Sequence, residues 1–288
     1  MRVLAAASRA AGAAPANGRS DAGPLAPLIE RSRPWLLPIA LLVLWQAATA
    51  SGLFPPNLVP SPAAVLAELV DLALDGDLTE HLWVTSWRVA AGFVAGTAAA
   101  TVLGAICGYW RPLRDLLDPT LQALKAVPSL AWVPLFILWF GIFEASKVTL
   151  IAVGVFFPVY LNLMSGIQGV DRKLVEVGRA YGLSRTQLVG RILLPATLPA
   201  YIAGLRGGLA LGWMFVIAAE LMGASSGLGY LMIDGQMTGN PAVIVGSLIL
   251  FAIVGKLSDA LLAGVGNRLL AWQDTVDARP EADAHARA

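Results

Sequence analysis

Six long apolar runs, separated by short polar gaps, constrain this chain more than any other feature of its sequence. Each run is close to the roughly 20 residues that an α-helix needs to cross a bilayer. The runs are rich in Gly, Ala and Leu, which suits close helix packing in lipid. The sequence therefore predicts an all-α polytopic membrane protein with six transmembrane helices. The predicted spans are 34–51, 86–109, 127–143, 148–167, 200–222 and 243–264.

The composition excludes most other classes of protein. Of the 288 residues, 57% are hydrophobic and 14% are charged, whereas a soluble domain is about one-quarter charged. This balance excludes a disordered chain and disfavours a soluble enzyme. The single cysteine, Cys107, excludes an intramolecular disulfide and a multi-cysteine metal site. With two histidines and a net charge of +1, we expect no catalytic residue, no metal, no cofactor in this chain and no nucleic-acid partner.

The distribution of Lys and Arg predicts the orientation of the spans. Most of the 20 basic residues fall in segments that lie on one side if the N-terminus is inside, and the loops 52–85 and 223–242 contain none. The positive-inside rule then puts both termini in the cytoplasm. We interpret residues 1–33 as a flexible cytoplasmic tail, 34–267 as the transmembrane domain and 268–288 as a cytoplasmic C-terminal tail.

A short helix is predicted outside the membrane, between the first two spans. The proline-rich stretch at 55–62 is extended chain, and Ser61-Pro62 has the form of an N-cap followed by proline at the first helical position. Apolar residues at helical spacing follow, interleaved with acids, so this helix is amphipathic and too charged to cross a bilayer. We expect it to end at Gly76.

The loop at 171–199 carries the strongest functional signal. Its sequence, DRKLVEVGRAYGLSRTQLVGRILLPATLP, predicts a short amphipathic helix that ends at a left-handed Gly182. Ser184 then caps a second helix that begins at Arg185. Pro195 and Pro199 are expected to break that second helix before the fifth span. A helix–turn–helix of this kind is too structured for a mere connector.

The same loop resembles a family signature. Inner-membrane subunits of bacterial ABC importers carry a loop motif that begins with E-A-A. Three residues of any type and a glycine follow, and after nine further residues the motif ends with I-x-L-P. Here Glu176, Gly182, Ile192 and Leu194-Pro195 match at that spacing. Val177 and Gly178 replace the two alanines, and we treat both as small enough to leave the helix surface alike. From about residue 55 to 275 the chain resembles permeases for aliphatic sulfonates, taurine and nitrate, in stretches such as SWRVAAGF, VPSLAWVPLFILWFGI, GLRGGLALGW and AELMGASSGLGYL.

The resemblance implies an assembly in the bacterial inner membrane. It would contain two permease subunits, here a homodimer around a central pathway, two cytosolic ATPase subunits and an external binding protein. The chain has no phosphate-binding loop of the form G-x-x-x-x-G-K-[ST], so ATP and Mg²⁺ would be bound by the ATPase. The 171–199 loop would be its coupling surface. The coupling residues implied are Glu176, Ala180, Gly182, Leu183, Ser184, Ile192, Leu194 and Pro195.

Several residues inside the spans are candidates for the translocation pathway. Glu220 either reaches interface water or has a function inside the membrane, where acids are costly, and it could pair with Arg88. Arg206 either snorkels to the headgroups or acts as a gate or anion contact. Trp132 and Trp213 are expected to pack, with pathway lining as the alternative. Lys256 and Asp259 lie one turn apart, which predicts a mutual ion pair.

Two further features receive plain structural interpretations. Gly223–Gly227 matches the G-x-S-x-G hydrolase motif, but it follows a predicted membrane helix rather than a strand, so we expect a flexible external turn. His81 is expected to be solvated. A membrane-embedded hydrolase using Ser225 and an ion-coupled transporter are therefore the rival functions.

The sequence leaves the cargo open. An alkanesulfonate is the first expectation, and nitrate, taurine or a vitamin precursor are the alternatives.

Overall fold

The computed structural model describes residues 26–52, 54–55 and 57–273, and no strand occurs among them. The all-α prediction is confirmed. A first unit, up to Phe54, contains helix α1 (Ala26–Ala50). This helix begins earlier than the predicted span at 34, so the part of the predicted flexible tail at 26–33 is helical. The rest of both predicted tails, 1–25 and 274–288, lies outside the described residues.

The second unit begins at Pro55 and opens with the predicted amphipathic helix. Helix α2 spans Pro62–Leu74, and the side chain of Ser61 accepts a hydrogen bond from the backbone N–H of Ala64 at 3.2 Å. Gly76 has φ of +87° and separates α2 from the long helix α3 (Asp77–Tyr109). The predicted cap and the predicted glycine stop are both confirmed.

Three long helices form the core of this unit. Helix α6 (Glu144–Gln168) packs between α3 and α9 (Leu194–Leu221), and small residues allow the close approach on both sides. On the α3 side, a Cβ at Gly92 would lie 2.5 Å from Cγ2 of Ile151. On the α9 side, a Cβ at Gly208 would lie 3.0 Å from Cγ2 of Val159. Small-residue packing, predicted from the Gly-rich runs, thus fixes how near the three helices lie.

Exposed aromatic side chains mark both ends of α3. Trp83 and Trp87 are exposed near its start, and Tyr109 and Trp110 are exposed at its end. At 1.5 Å per residue, the two pairs are about 33 to 41 Å apart, which matches the distance between the two interfaces of a bilayer. Aromatic belts of this kind are typical of helices that span a membrane.

The third predicted span is not a single straight helix. The gap at 110–126 forms α4 (Arg111–Ala126), which is strongly amphipathic. A 3-10 turn (Ser129–Trp132) and the short helix α5 (Val133–Phe140) follow, and α4 bends by 86° relative to the Leu130–Phe140 segment. Pro128 and Pro134 lie at this break, where proline interrupts helical hydrogen bonding.

The remaining helices complete the bundle. After α6 come α7 (Arg172–Ala180), α8 (Arg185–Leu188), a π-helical turn (Val189–Leu193), α9, α10 (Leu228–Met237) and α11 (Pro241–Leu269).

The number of spans can be counted from length and composition. Four helical segments in the described part of the chain are long and apolar enough to cross a membrane, and α4 with α5 would make a fifth as a bent pair. The described apolar part of α1, Trp35–Ala50, is shorter. The count of six therefore stays a prediction.

Candidate functional site

The loop between α6 and α9 folds as a helix–turn–helix. Asp171 caps α7 by accepting from the backbone N–H of Lys173 at 2.9 Å. At the other end, Gly182 has φ of +72°, its N–H donates to the carbonyl of Arg179 at 2.9 Å, and the N–H of Leu183 donates to the carbonyl of Gly178 at 3.1 Å. These two bonds form a Schellman motif. The predicted left-handed glycine is confirmed.

The second helix of the loop begins with a reciprocal cap. The backbone N–H of Ser184 donates to Oε1 of Gln187 at 2.9 Å, and the N–H of Gln187 donates to Oγ of Ser184 at 3.4 Å. This is the capping box that a Ser followed three residues later by Gln can form. The start of α8 at Arg185, capped by Ser184, is confirmed.

The predicted break at Pro195 and Pro199 is wrong. The segment Thr186–Leu221 runs on as one helical span, with Pro195 in the first turn of α9 and Pro199 inside it. Proline has no backbone N–H, so a continuous helix lacks one hydrogen bond at Pro195. The π-helical turn at Val189–Leu193 lies directly before the prolines, where a wider turn accommodates the irregular backbone. The loop is therefore continuous with α9, with no flexible joint.

One side of α7 packs onto the rest of the loop, and Gly178 makes the contact possible. A Cβ at Gly178 would lie 2.5 Å from Cδ1 of Ile192 and 2.6 Å from Cδ2 of Leu188. Gly178 is buried, whereas its neighbour Val177 is exposed. Only position 178 faces the packed side, and the expectation that Val177 and Gly178 leave the helix surface as two alanines would stays a prediction.

A neighbouring strip of α7 is open and partly apolar. Leu174, Val177 and Tyr181 are exposed at helical spacing, and Tyr181 is the most open at 82%. Glu176 is also exposed and accepts from Nε of Arg172 at 3.0 Å. Among the other predicted coupling residues, Leu183 and Ile192 are half-buried, and those on the surface are Ala180, Gly182, Ser184 and Leu194.

An apolar cavity of about 700 Å³ lies at the start of α9. Leu194 and Pro195 line it, together with Tyr109 from α3, Tyr201 from α9 and Trp272 from the segment after α11. The predicted coupling residues thus divide between the surface of the loop and the wall of this cavity.

The far end of the bundle holds a buried ion-pair network centred on Arg88. Its Nη1 donates to Oε1 of Glu220 at 2.8 Å, and its Nε and Nη2 donate to the two carboxylate oxygens of Glu144 at 2.7 and 2.6 Å. The Arg88 side chain is 2% exposed and that of Glu220 is 0%. The pairing of Glu220 with Arg88 is confirmed, and the alternative in which Glu220 reaches interface water is wrong.

The same network fixes the turn between α9 and α10. The carboxylate of Glu220 accepts from the hydroxyl of Thr85 at 2.8 Å and from the backbone N–H of Gly229 at 2.7 Å. Arg88 also donates to the carbonyl of Ser226 at 2.6 Å. The expected flexible turn at Gly223–Gly227 is therefore wrong, because side chains of two spans bind the backbone at its end.

His81 belongs to this network as well. Its Nδ1 accepts from the backbone N–H of Gly227 at 2.9 Å, and its side chain is buried. The expectation of a solvated histidine is wrong. The hydrogen bond also fixes the acceptor role of Nδ1, so His81 holds the turn in place by this nitrogen.

A second charged group lies halfway along α9. Nε and Nη2 of Arg206 donate to the two carboxylate oxygens of Asp259 on α11 at 2.8 and 2.9 Å. The predicted pair of Lys256 with Asp259 is wrong, because the guanidinium from the neighbouring helix makes a two-pronged contact that a lysine one turn away cannot match. Arg206 is 47% and Asp259 30% exposed.

The two predicted tryptophans both pack in this structure. Trp213 donates from Nε1 to Oγ of Ser258 at 2.8 Å and meets Phe251 edge-on. Trp132 stacks on Phe136 with ring centres 6.3 Å apart. A cavity of about 230 Å³ between α4, α5 and α6 also borders Trp132.

Sequence reasoning missed Thr85, Glu144, the role of His81 and the contacts of Arg88 beyond Glu220. A usable signal existed in the charges, since Arg88, Glu144 and Glu220 all lie in or beside predicted spans and needed partners. Among the described residues, no three His, Cys, Asp or Glu side chains converge as a metal site requires. Nδ1 of His81 accepts the backbone N–H of Gly227, so this nitrogen is engaged with the turn rather than with Ser225.

Comparison with known proteins gives a consistent result. Residues 100–270 match the family model described as binding-protein-dependent transport system inner membrane component. A protein of Bacillus subtilis (strain 168), named as the aliphatic sulfonates transport permease SsuC, is 39% identical over 84% of this chain and 88% of its own length.

Two relatives come from Escherichia coli (strain K12). The protein named there as SsuC is 39% identical over 87% of this chain and 95% of its own length. The taurine transport system permease protein TauC is 32% identical over 83% of this chain and 89% of its own length.

Proposed function

The chain belongs to the family of inner-membrane components of binding-protein-dependent transport systems, and from that premise we propose that it imports an aliphatic sulfonate. As an ABC-type permease it is not an enzyme. The proposed cargo is a small organic anion that an external binding protein delivers. Taurine, nitrate and a vitamin precursor remain the alternative cargoes of the same kind of importer.

The observation that carries the choice of cargo is the ranking of relatives by identity. Two permeases named for aliphatic sulfonates are each 39% identical over most of the chain, against 32% for the taurine permease. The charges on two of the spans also suit an anionic cargo. The predicted fifth and sixth spans carry two basic residues, Arg206 and Lys256, beside one acid, Asp259.

The cargo is tested by transport. We would reconstitute the chain with its ATPase and its binding protein in liposomes and measure uptake of labelled ethanesulfonate, taurine and nitrate. The proposal expects ATP-dependent uptake of ethanesulfonate at the lowest concentration of the three. Preferred uptake of taurine or nitrate would contradict the sulfonate assignment and leave the importer class intact.

We propose that the α7–α8 loop transmits ATP-driven motion to the spans. It presents the exposed side chains of Leu174, Val177 and Tyr181 on one side of α7. It is held to α8 and the π-helical turn through Gly178, and the helix continues from Thr186 to Leu221 without a joint. A movement of the loop would therefore displace α9 directly. Glu176, paired with Arg172, would stiffen α7 or contact the ATPase.

We also propose the arrangement of the whole transporter. Two copies of this chain would form a homodimer around a central pathway, with both termini and the α7–α8 loop in the cytoplasm. The absence of Lys and Arg from 52–85 and 223–242 supports this orientation. The ATPase pair would supply the sites for ATP and Mg²⁺.

Among the predicted pathway residues, Arg206 fits that role best because it is exposed in the middle of a span. Trp132 borders a cavity and keeps a lining role as a proposal, whereas Trp213 packs between α9 and α11. Glu220 is fully buried with its oxygens bonded, so we assign it to the support of the α9–α10 turn.

A further inference from the structure

We propose that Arg206, Asp259 and Lys256 form a charged cluster on the wall of a water-filled pathway and give that wall a net positive charge, which favours anions. This inference rests on the proposed function, an importer of small anions, and deepens it by assigning the selection of charge to three residues of this chain. It begins from the position of the cluster along the helices.

The cluster lies at mid-membrane depth. Arg206 is twelve residues after the start of α9 at Leu194 and fifteen before its end at Leu221. At 1.5 Å per residue, it is about 18 Å from one end and about 22 Å from the other. Asp259, its partner on α11, is also far from both ends of a 29-residue helix. Snorkelling to a headgroup from this depth is difficult, and exposed charges at the bilayer centre are costly.

The exposed surface of α11 has two faces of different chemistry. Ile253, Leu257 and Leu261 form an aliphatic face that suits lipid. Asp259 and Lys256 share another side of the helix with the exposed Ala252, since these positions are separated by three, four and seven residues. Lys256 lies one turn after Ile253, so the charged side borders the aliphatic face along one edge of the helix.

The charged side of α11 continues onto α9. The contacts of Arg206 with Asp259 and of Trp213 with Ser258 show that the two helices run in opposite directions. The exposed residues of α9 beside Arg206 are small, apart from one methionine: Ala203, Gly207, Ala210 and Met214. A strip of small and charged side chains at this depth suits water better than lipid.

The charges of the cluster do not cancel. Arg206 and Asp259 neutralise each other through the two-pronged contact, and Lys256, which is exposed, lies within electrostatic range of Asp259. Lys256 forms no salt bridge within 4.0 Å in the part of the chain that the structure describes. One positive charge is therefore left on this wall, and a homodimer would present it twice.

The test is the reactivity of an introduced cysteine with charged reagents. Ala210→Cys lies one turn from Arg206 on the exposed strip, and the native Cys107 is buried, so the parental chain gives the background. We would treat freeze–thawed membranes that contain the full chain with an anionic and a cationic methanethiosulfonate. The control is Val94→Cys, at the same depth on the aliphatic side of α3, and Ala203→Cys replaces Ala210→Cys if the latter is not inserted.

The proposal expects Ala210→Cys to react with both reagents, faster with the anionic one, while Val94→Cys stays unreactive. In the Ala210→Cys background, Lys256→Gln should lower the ratio of the anionic to the cationic reaction rate about fivefold. This is the effect that one unit charge at roughly 8 Å in water has on the relative rates of two oppositely charged reagents. This change leaves the Arg206–Asp259 pair in place.

Three results would overturn the inference. Ala210→Cys as unreactive as the control would show that lipid or protein covers this face. Equal rates for the two reagents would remove the preference for anions. An anion preference that Lys256→Gln leaves unchanged would exclude this cluster as its source. The labelling experiment does not measure transport. If the cysteine is labelled selectively but the liposomes of the transport experiment take up no sulfonate, only the proposed cargo is contradicted.

Discussion

Replacing Arg88 with Met should destabilise the protein more than any other single change in its buried network. The change leaves the carboxylate of Glu220 fully buried without a cation, although the hydroxyl of Thr85 and the N–H of Gly229 still donate to it. Removing one partner of a buried ion pair costs about 3–5 kcal/mol. Glu144, whose side chain is 57% exposed, can return to water and adds little to this cost.

A double variant separates the cost of the orphaned charge from the cost of lost packing. Arg88→Met with Glu220→Leu removes both charges and leaves the Thr85 hydroxyl and the Gly229 N–H without their acceptor, at about 1 kcal/mol each. The carbonyl of Ser226 loses Arg88 as its donor in the single and the double variant alike. The double variant should therefore be more stable than Arg88→Met alone, although it carries one more substitution.

The assay is unfolding in mixed micelles titrated with sodium dodecyl sulfate and followed by tryptophan fluorescence. Asp71→Asn removes an exposed acid from α2 and should leave the free energy of unfolding unchanged. If Arg88→Met costs less than about 1 kcal/mol, or if the double variant is the less stable of the two, the network does not hold the α9–α10 turn in the way described.

Four further outcomes are expected. Gly178→Leu should overpack α7 against Leu188 and Ile192, which should lower the free energy of unfolding by about 1–3 kcal/mol and reduce uptake. Val177→Leu, on the open strip of α7, should change neither. Equal uptake by the two variants would contradict the packing described. Gly227→Ala should lower the free energy of unfolding by about 1–3 kcal/mol, because φ is +118° at this position and the added Cβ would lie 2.5 Å from Oε1 of Glu220. An unchanged midpoint in the unfolding titration would contradict this prediction. A cysteine at Arg185 should react with impermeant reagents only from the cytoplasmic side, and labelling in intact cells would reverse the orientation. The purified chain alone should hydrolyse no ATP, and turnover without a partner would contradict the need for an ATPase.

Features with local causes could be predicted from the sequence. The Schellman turn at Gly182 and the cap at Ser184 depend on residue types a few positions apart, so the sequence of the loop specified both. Glu220 and Arg88 could be paired because each is a charge that lipid does not tolerate, and both lie near the same end of predicted spans.

Features that depend on contacts between distant elements could not be predicted. His81 carries no local sign that the N–H of Gly227 will donate to it, 146 residues away. Asp259 had a candidate partner on its own helix, and the structure shows instead a partner 53 residues away on α9. Helix α4 was missed for a different reason, because hydropathy marks apolar runs and α4 is amphipathic with Pro119 inside it.

The claim that an ATPase drives the spans through the α7–α8 loop is tested most directly at Gly182. Its φ is +72°, and nothing in the described protein lies within 4 Å of the Cβ that a substitution would add. A larger side chain would therefore point away from the protomer, toward a bound partner. A Cβ in the left-handed conformation costs about 1–2 kcal/mol, and Asn adopts this conformation more readily than most residues.

The measurement is ATP hydrolysis by the complete transporter, stimulated by the loaded binding protein, for the parent, Gly182→Asn and Gly182→Arg. The account predicts near-parental stimulation for Gly182→Asn. It predicts loss of stimulation and of uptake for Gly182→Arg, in a protein that is still inserted in the membrane. Parental stimulation in the Gly182→Arg transporter would contradict the role of the loop as the coupling surface.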